Sequence, residues 1–385
     1  MKAQTLKRFA LTVGAVLSLS ACGMFSNDSR YEPVDLTEYT ATVQPGVIWS
    51  SAIGSGSGYG FAPALSANSV FAATPDGSVV RLNAATGATE WRVKLDKELA
   101  GGVGVGEGLV AVTTRDGFVI VLDEANGQKR WESRTSTIAR TPPVVGNGVV
   151  IVRADDFRVQ AYKVADGSLS WSYVRTNPDL SLKTNTRMLL VDAQTVLVAV
   201  PTGRLVAINT SNGRVMQEMF SAVAKGPMDL DSVTDVVGQP VVYGNDICFA
   251  SYQGNVVCYQ ITHQGLVRRW SQPFSTSVGV DGTANAVIGA AIDGTVEVFA
   301  RQDGSVVWKD QTLKNRGLTN PVVFNNHVVV ADYEGYAHFY DFNTGKLEGR
   351  VSLGDSDPVV SPLLVTSVGV IAQTGDGKLV LFGVK

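Results

Sequence analysis

Three histidines, three cysteines and a recurring aspartate are the side chains of this sequence best equipped for chemistry. His263, His327 and His338 offer imidazoles for acid–base work or metal binding, but no two of them stand at metal-ligand spacing. The H-E-x-x-H, G-x-S-x-G and phosphate-loop patterns are all missing. His338 falls in an alternating strand and His327 beside an Asn turn, which reads as ordinary structural or surface use. Asp76, Asp116, Asp156, Asp293 and Asp376 look like a carboxylate set, yet each sits in a turn sequence, most often directly before Gly. Aspartate at such a place hydrogen-bonds the turn backbone and requires no catalytic explanation. The residues therefore predict no catalytic group, no metal site and no cofactor.

The cysteines carry a different chemistry. Lys2, Lys7 and Arg8 form a basic start, Phe9 to Leu19 an apolar run, and Leu19-Ser20-Ala21-Cys22 a lipobox. The pattern predicts a lipoprotein signal over residues 1–21, cleaved before Cys22, whose amine and thiol are then acylated. An ordinary secretion signal with a coincidental cysteine is the alternative. Gly23, where an Asp would favour the inner membrane, points to an outer-membrane anchor facing the periplasm, with residues 22–45 as the tether. Loss of the signal leaves 29 Lys+Arg against 35 Asp+Glu, a net charge of −6. An acidic chain without a basic run is a poor nucleic-acid binder. Cys248 and Cys258 flank the turn at Gln253-Gly254, nearly opposite each other on a hairpin. An oxidising compartment allows a disulfide there, and two buried free thiols fit the spacing as well.

The elements that hold these residues follow from a repeat. Asp76-Gly77, Thr86-Gly87 and Trp91 recur as Asp116-Gly117, Asn126-Gly127 and Trp131, and as Asp293-Gly294, Asp303-Gly304 and Trp308. In a further copy, Asp156-Phe157, Asp166-Gly167 and Trp171, Phe replaces the first Gly. Weaker copies centre on Gly203, Gly254 and Gly335, and a truncated one begins at Asp376-Gly377. Between the turns lie β-branched runs of strand length, so each unit is a four-stranded antiparallel meander, strands A to D. One such sheet cannot bury both faces alone, and a period of some forty to fifty residues with several strands per unit predicts a β-propeller. The predicted fold is all-β, an eight-bladed propeller over residues 46–385. The last unit lacks its strand D, and Val47 to Ser50, with Trp49 at the repeat's Trp position, is expected to supply it. Trp at a fixed place in strand D reads as a wedge between blades.

A propeller used for binding shows it where the period breaks, because insertions map to loops. The two longest intervals, 171 to 203 and 217 to 254, are consecutive. Their extra residues fall in the D-to-A connections around 174–187 and 219–238, on the face that carries the B–C turns. One holds Leu180, Leu182 and Lys183; the other holds Asp229, Asp231 and Asp235. Apolar residues interleaved with charge on projecting loops predict a protein-binding patch, the alternative being leucines folded back onto the propeller.

Two resemblances follow from these residues. The repeat D-G-x-h-x-h-h-x-x-x-T/N-G-x-x-x-W, with h apolar, resembles that of pyrroloquinoline quinone dehydrogenases. Those enzymes are longer, bind Ca²⁺ with the quinone, and many have a disulfide between adjacent cysteines. Here Cys248 and Cys258 are ten apart and no calcium trio can be assembled, so a quinoprotein-like enzyme or a small-ligand propeller is the lesser reading. The lipobox, the whole repeat array and both long loops together resemble the BamB family of outer-membrane protein assembly factors. Leu180-Ser181-Leu182-Lys183 matches the family's L-S-L-R segment with Lys for Arg. Asp229 to Val237 matches an acidic stretch ending D-V-D, with Asp235 kept and Val237 in place of the second Asp. The resemblance implies a non-enzymatic scaffold lipoprotein whose loops dock the periplasmic POTRA domains of BamA, with nascent outer-membrane β-barrel proteins as a further class of partner. Lys183 lacks the bidentate fork of the family's Arg.

Overall fold

Eight four-stranded antiparallel sheets account for every regular element in the computed structural model, which describes residues 32–175, 181–182, 184–221, 233–354 and 358–384. Seven sheets are continuous in sequence, at 64–94, 99–134, 144–173, 189–220, 236–273, 280–310 and 322–352. These are blades 1 to 7. Their innermost strands, A, line a central channel, and strands D form the rim. Sequence pattern follows position. Strand B of blade 1, Ser69–Ala73, is buried at every residue because neighbouring blades cover both its faces. Strand D of the same blade, Thr89–Lys94, alternates between exposed and half-buried residues.

Closure of the ring is as expected. Pro45–Ala52 pairs antiparallel with Lys378–Val384 and completes blade 8 as its strand D, from Pro45 opposite Val384 to Ala52 opposite Lys378. The C-terminal strand thereby loses its open edge, the part of a sheet most prone to pair with another chain.

The six Trp residues lock successive blades. Each indole N–H donates to a carbonyl at the C–D turn of the next blade, at 2.7–3.2 Å: Trp49 to Ala84, Trp91 to Glu124, Trp131 to Val164, Trp171 to Thr210, Trp270 to Arg301 and Trp308 to Phe342. The turn glycine beneath each ring, from Gly87 round to Gly345, has no room for a side chain. A Cβ there would lie 2.5–3.0 Å from ring carbons. The same logic explains the two blades without Trp. Gln217 of blade 4 faces a blade whose C–D connection is a tight hairpin closed by Thr262 and Gly265, with no turn of the repeat's type to receive a ring. Gly349 of blade 7 precedes blade 8, which has no C–D turn at all, and its open side is filled by Val43 and Pro45.

A β-bulge in every C–D pair aims these side chains. In blade 1, Trp91 opposes Arg81 and Thr89 opposes Leu82, so Glu90 is the extra residue; the shift recurs at the equivalent place in all eight blades. A bulge bends its strand and redirects the next side chain. We expect Gly167→Ala to lower unfolding free energy by about 2 kcal/mol or more, since its Cβ would meet Trp131 on a backbone at φ +72°. Gly148→Ala, at φ +75° with open space around it, should cost less. Urea titration of the two variants distinguishes ring contact from backbone strain.

The segment read as a tether is, from Glu32 onward, bound along blade 7. Asn315 Nδ2 donates to the Glu32 carbonyl (3.1 Å), Arg316 Nη1 to Val34 (2.8 Å), and Thr42 N to Glu348 (3.0 Å). Arg350 donates to the Thr37 carbonyl and lies over the Tyr39 ring at 5.0 Å. Beneath this strap His338 is fully buried. Arg350 Nε donates to its Nδ1 (3.2 Å), and Asp332 Oδ2 lies 3.0 Å from its Nε2. Because arginine can only donate, the imidazole is the neutral Nε2–H tautomer. Burial holds its pKa below the ordinary value against the pull of Asp332. His338 is thus a structural residue, as its strand position implies.

Candidate docking site

The residues best equipped for chemistry are taken up by turns and packing. Asp76 Oδ1 accepts from Thr74 Oγ1 (2.7 Å) and from Ser78 N (3.1 Å). Burial would raise this carboxyl, but hydrogen bonds from Lys94, Thr74 and Ser78 outweigh it and hold it well below the carboxylate range. Asp156 and Asp293 accept from the amides of Arg158 and Thr295 in the same way. His327 lies 3.1 Å from Glu348, and His263 is exposed on its hairpin. Among the described residues no group of three His, Cys, Asp or Glu could hold a metal ion. Cys248 and Cys258 are register partners in blade 5, joined as a disulfide with Cα atoms 4.1 Å apart. Both are buried, so the bond staples a strand pair inside the blade.

The channel encloses about 450 Å³ on the side of blades 4 to 8 and is lined by Val241, Val280, Val322 and Leu364 among polar groups. Burial draws Arg187 down to about 10 and pushes Asp281 up to about 6. On the B–C face Asn185 Nδ2 donates to the Val360 carbonyl at 2.7 Å. These residues lead into blades 4 and 8, which stand opposite each other in the ring, so the bond crosses the channel mouth.

The two long connections meet on that same face. Thr186 and Gly238 form a parallel bridge, with Gly238 N donating to Asn185 O (2.7 Å) and Arg187 N to Gly238 O (2.9 Å). Leu182 is half-buried beside Arg153 and Phe157 of blade 3. Leu180, Lys183, Asp229 and Asp231 lie outside the described residues, as does Cys22.

Asp235 departs from expectation. Read as a charge offered to a partner, it is instead 8% exposed, and its carboxylate is already taken. Oδ2 accepts from Leu182 N (2.7 Å) and Oδ1 from Thr202 N (3.0 Å). Loops outside the strand ladders leave amides without partners, and a buried amide must find an acceptor. Asp235 supplies two, tying the second long loop to the first and to the B–C turn of blade 4. Burial raises its pKa against these amides and the Arg153 cation. Asp235→Ala should therefore destabilise the isolated protein by about 2 kcal/mol. Hydrogen exchange at the Leu182 and Thr202 amides should quicken, and Asn, which retains one acceptor oxygen, should recover part of the loss.

Arg153, Phe157 and Tyr59 stand against Leu182 on this rim, and loop spacing alone does not point to them. The signal was present: Phe157 occupies a turn position held elsewhere by Gly.

Comparison with known proteins agrees with this architecture. The family described as "Outer membrane protein assembly factor BamB" matches residues 75–310 and 293–384. A relative of that name from Taylorella asinigenitalis is 56% identical over 98% of this chain and 98% of its own length. One from Bordetella pertussis is 39% identical, over 97% of this chain and 96% of its own. The crystal structure of BamB from Moraxella catarrhalis superposes with a TM-score of 0.80 at 26% identity, covering 88% of this chain and 99% of that one. A quinohemoprotein alcohol dehydrogenase from Comamonas testosteroni shares the fold alone, with a TM-score of 0.66 at 12% identity over 92% of this chain and 78% of its own. With the repeats, the ring closure and the match along nearly its whole length in agreement, this chain belongs to the BamB family of outer membrane protein assembly factors.

Proposed function

We propose that the chain is a non-enzymatic scaffold of the outer-membrane β-barrel assembly machine, docking the POTRA domains of BamA through the rim around Leu182. The observation that carries this reading is the union of the two longest connections, bridged at Thr186–Gly238 and clamped by Asp235, which holds Leu182 in place at one edge of the ring. A preorganised loop loses less freedom on binding than a free one. Leu180, Lys183, Asp229 and Asp231 belong to the same patch on this reading. Nascent β-barrel proteins are a second class of partner.

The anchor is Cys22, acylated and inserted in the periplasmic leaflet of the outer membrane. Glu32 and Val34 meet the connection into blade 7 on the face that carries the B–C turns, while Thr42 meets Glu348 near the C–D turn. Nine residues, ten peptide links, separate Cys22 from Glu32, which limits the gap between membrane and propeller to about 35 Å. Cys22→Ala should be recovered unlipidated and outside the outer-membrane fraction; unchanged mass and fractionation would refute the anchor. The docking role is tested by affinity capture from detergent-solubilised envelopes. BamA should be recovered with the chain, and capture without BamA would overturn the role.

A further inference from the structure

Beside Leu182 lies a small pocket whose wall breaks the rule of the repeat. At the B–C turn six blades place a positive-φ Gly, at 77, 117, 203, 294, 335 and 377. Blade 3 places Phe157 there, at φ +62°. A bulky residue in the left-handed region is a backbone outlier, and such strain persists where surrounding structure enforces it. The Phe157 ring is half-buried and lies under the guanidinium of Arg153, 4.8 Å from ring centroid to Cζ.

Arg153 is short of partners. Its Nη1 donates to Thr141 Oγ1 (3.2 Å), while its Nε is buried without an acceptor. Of the nearby acids, Asp235 attracts this guanidinium through space but gives its oxygens to other donors, both of them backbone amides. Asp155 is paired with Arg140. Buried Thr184 Oγ1 is likewise unpartnered. Arg153, Phe157, Arg140, Tyr59, Leu182 and Thr184, together with the Arg140-paired Asp155, line a pocket of about 170 Å³. Sites for whole small molecules run from roughly 300 Å³ upward. This one has room for a single side chain.

We infer that the Arg153–Phe157 pocket is a specificity site that receives one acidic side chain of the docked protein partner. The occupant is set by size, by an under-satisfied cation and by position at the rim of the docking loops. Arginine presents a planar fork matched to a carboxylate, and stacking on Phe157 holds that fork at a fixed angle. Leu182 supplies the apolar wall that excludes water around the ion pair. A glycine at 157 would leave the guanidinium without its platform.

The inference rests on the docking reading, and its test separates the two. Binding of the purified periplasmic domains of BamA is measured for wild type, Phe157→Gly, Arg153→Met and Leu182→Asp. Phe157→Gly restores the residue that six other blades use, so its melting temperature should equal or exceed that of wild type. Its affinity should nevertheless fall by at least about tenfold. Arg153→Met keeps the apolar stem, should bind equally weakly, and should lose much of the wild-type weakening as salt rises from about 50 to about 300 mM. Arg153→Lys should recover only part of the affinity, having charge without the fork. If Phe157→Gly and Arg153→Met bind like wild type while Leu182→Asp does not, the pocket is not a recognition site and the docking reading stands. If all three bind like wild type, the docking reading fails as well.

Discussion

Removal of residues 45–52 should open the ring and abolish its cooperative unfolding. The deletion takes away the fourth strand of blade 8 and leaves Lys378–Val384 unpaired along its outer edge. It also removes Trp49, whose indole donates to Ala84 of blade 1 over Gly87. Loss of a packed Trp alone costs about 3–5 kcal/mol, and Trp49→Ala isolates that part. The full deletion adds an exposed, apolar strand edge of the kind that templates aggregation. The expected result is a protein recovered mainly as aggregate, with the soluble remainder melting well below Trp49→Ala. A deletion variant that melts with wild type would mean that the ring does not depend on this strand.

That closure was legible because its parts are local in sequence. Turn glycines, β-branched runs and a Trp at fixed offset each have a steric cause that a single unit displays, and eight copies make the register unambiguous. Trp49 without a blade of its own and a last unit without its strand D identified each other. The bulge before each Trp was not legible, since one unpaired residue in a strand leaves no compositional mark. The strap was also missed. Glu32 to Val43 has no strand periodicity, and it is held by Asn315, Arg316 and Arg350, roughly three hundred residues away. The absence of Trp from blades 4 and 7 could be seen in the sequence, but its reason lies in the turns of the blades that follow.

The docking loops were legible as breaks of period, and their meeting on one face followed from the meander. The direction in which a charged side chain points does not follow from period. Asp235 shares its loop with Asp229 and Asp231, and nothing in the sequence of that loop sets it apart from them. Its inward turn answers two backbone amides, one contributed by the other long loop and one by the B–C turn of blade 4, and no pattern within residues 229–237 encodes their need. Phe157 illustrates the converse. Its oddity is plain against the other blades, but its pairing with Arg153 depends on a turn conformation.

Leu182→Asp tests the docking role at its centre. The side chain is half-buried at the rim while the backbone amide is held by Asp235, so the change places a charge on a surface without removing the clamp. A carboxylate buried against an apolar partner surface loses its hydration without compensation. Anchors of this kind cost roughly 2 kcal/mol or more when lost, about thirtyfold in affinity. The decisive measurement is the affinity of the purified variant for the periplasmic POTRA domains of BamA, with circular dichroism and melting recorded on the same sample. The account predicts a propeller with wild-type spectrum and melting temperature that binds at least about thirtyfold more weakly. A folded Leu182→Asp protein that binds BamA as wild type does would contradict it.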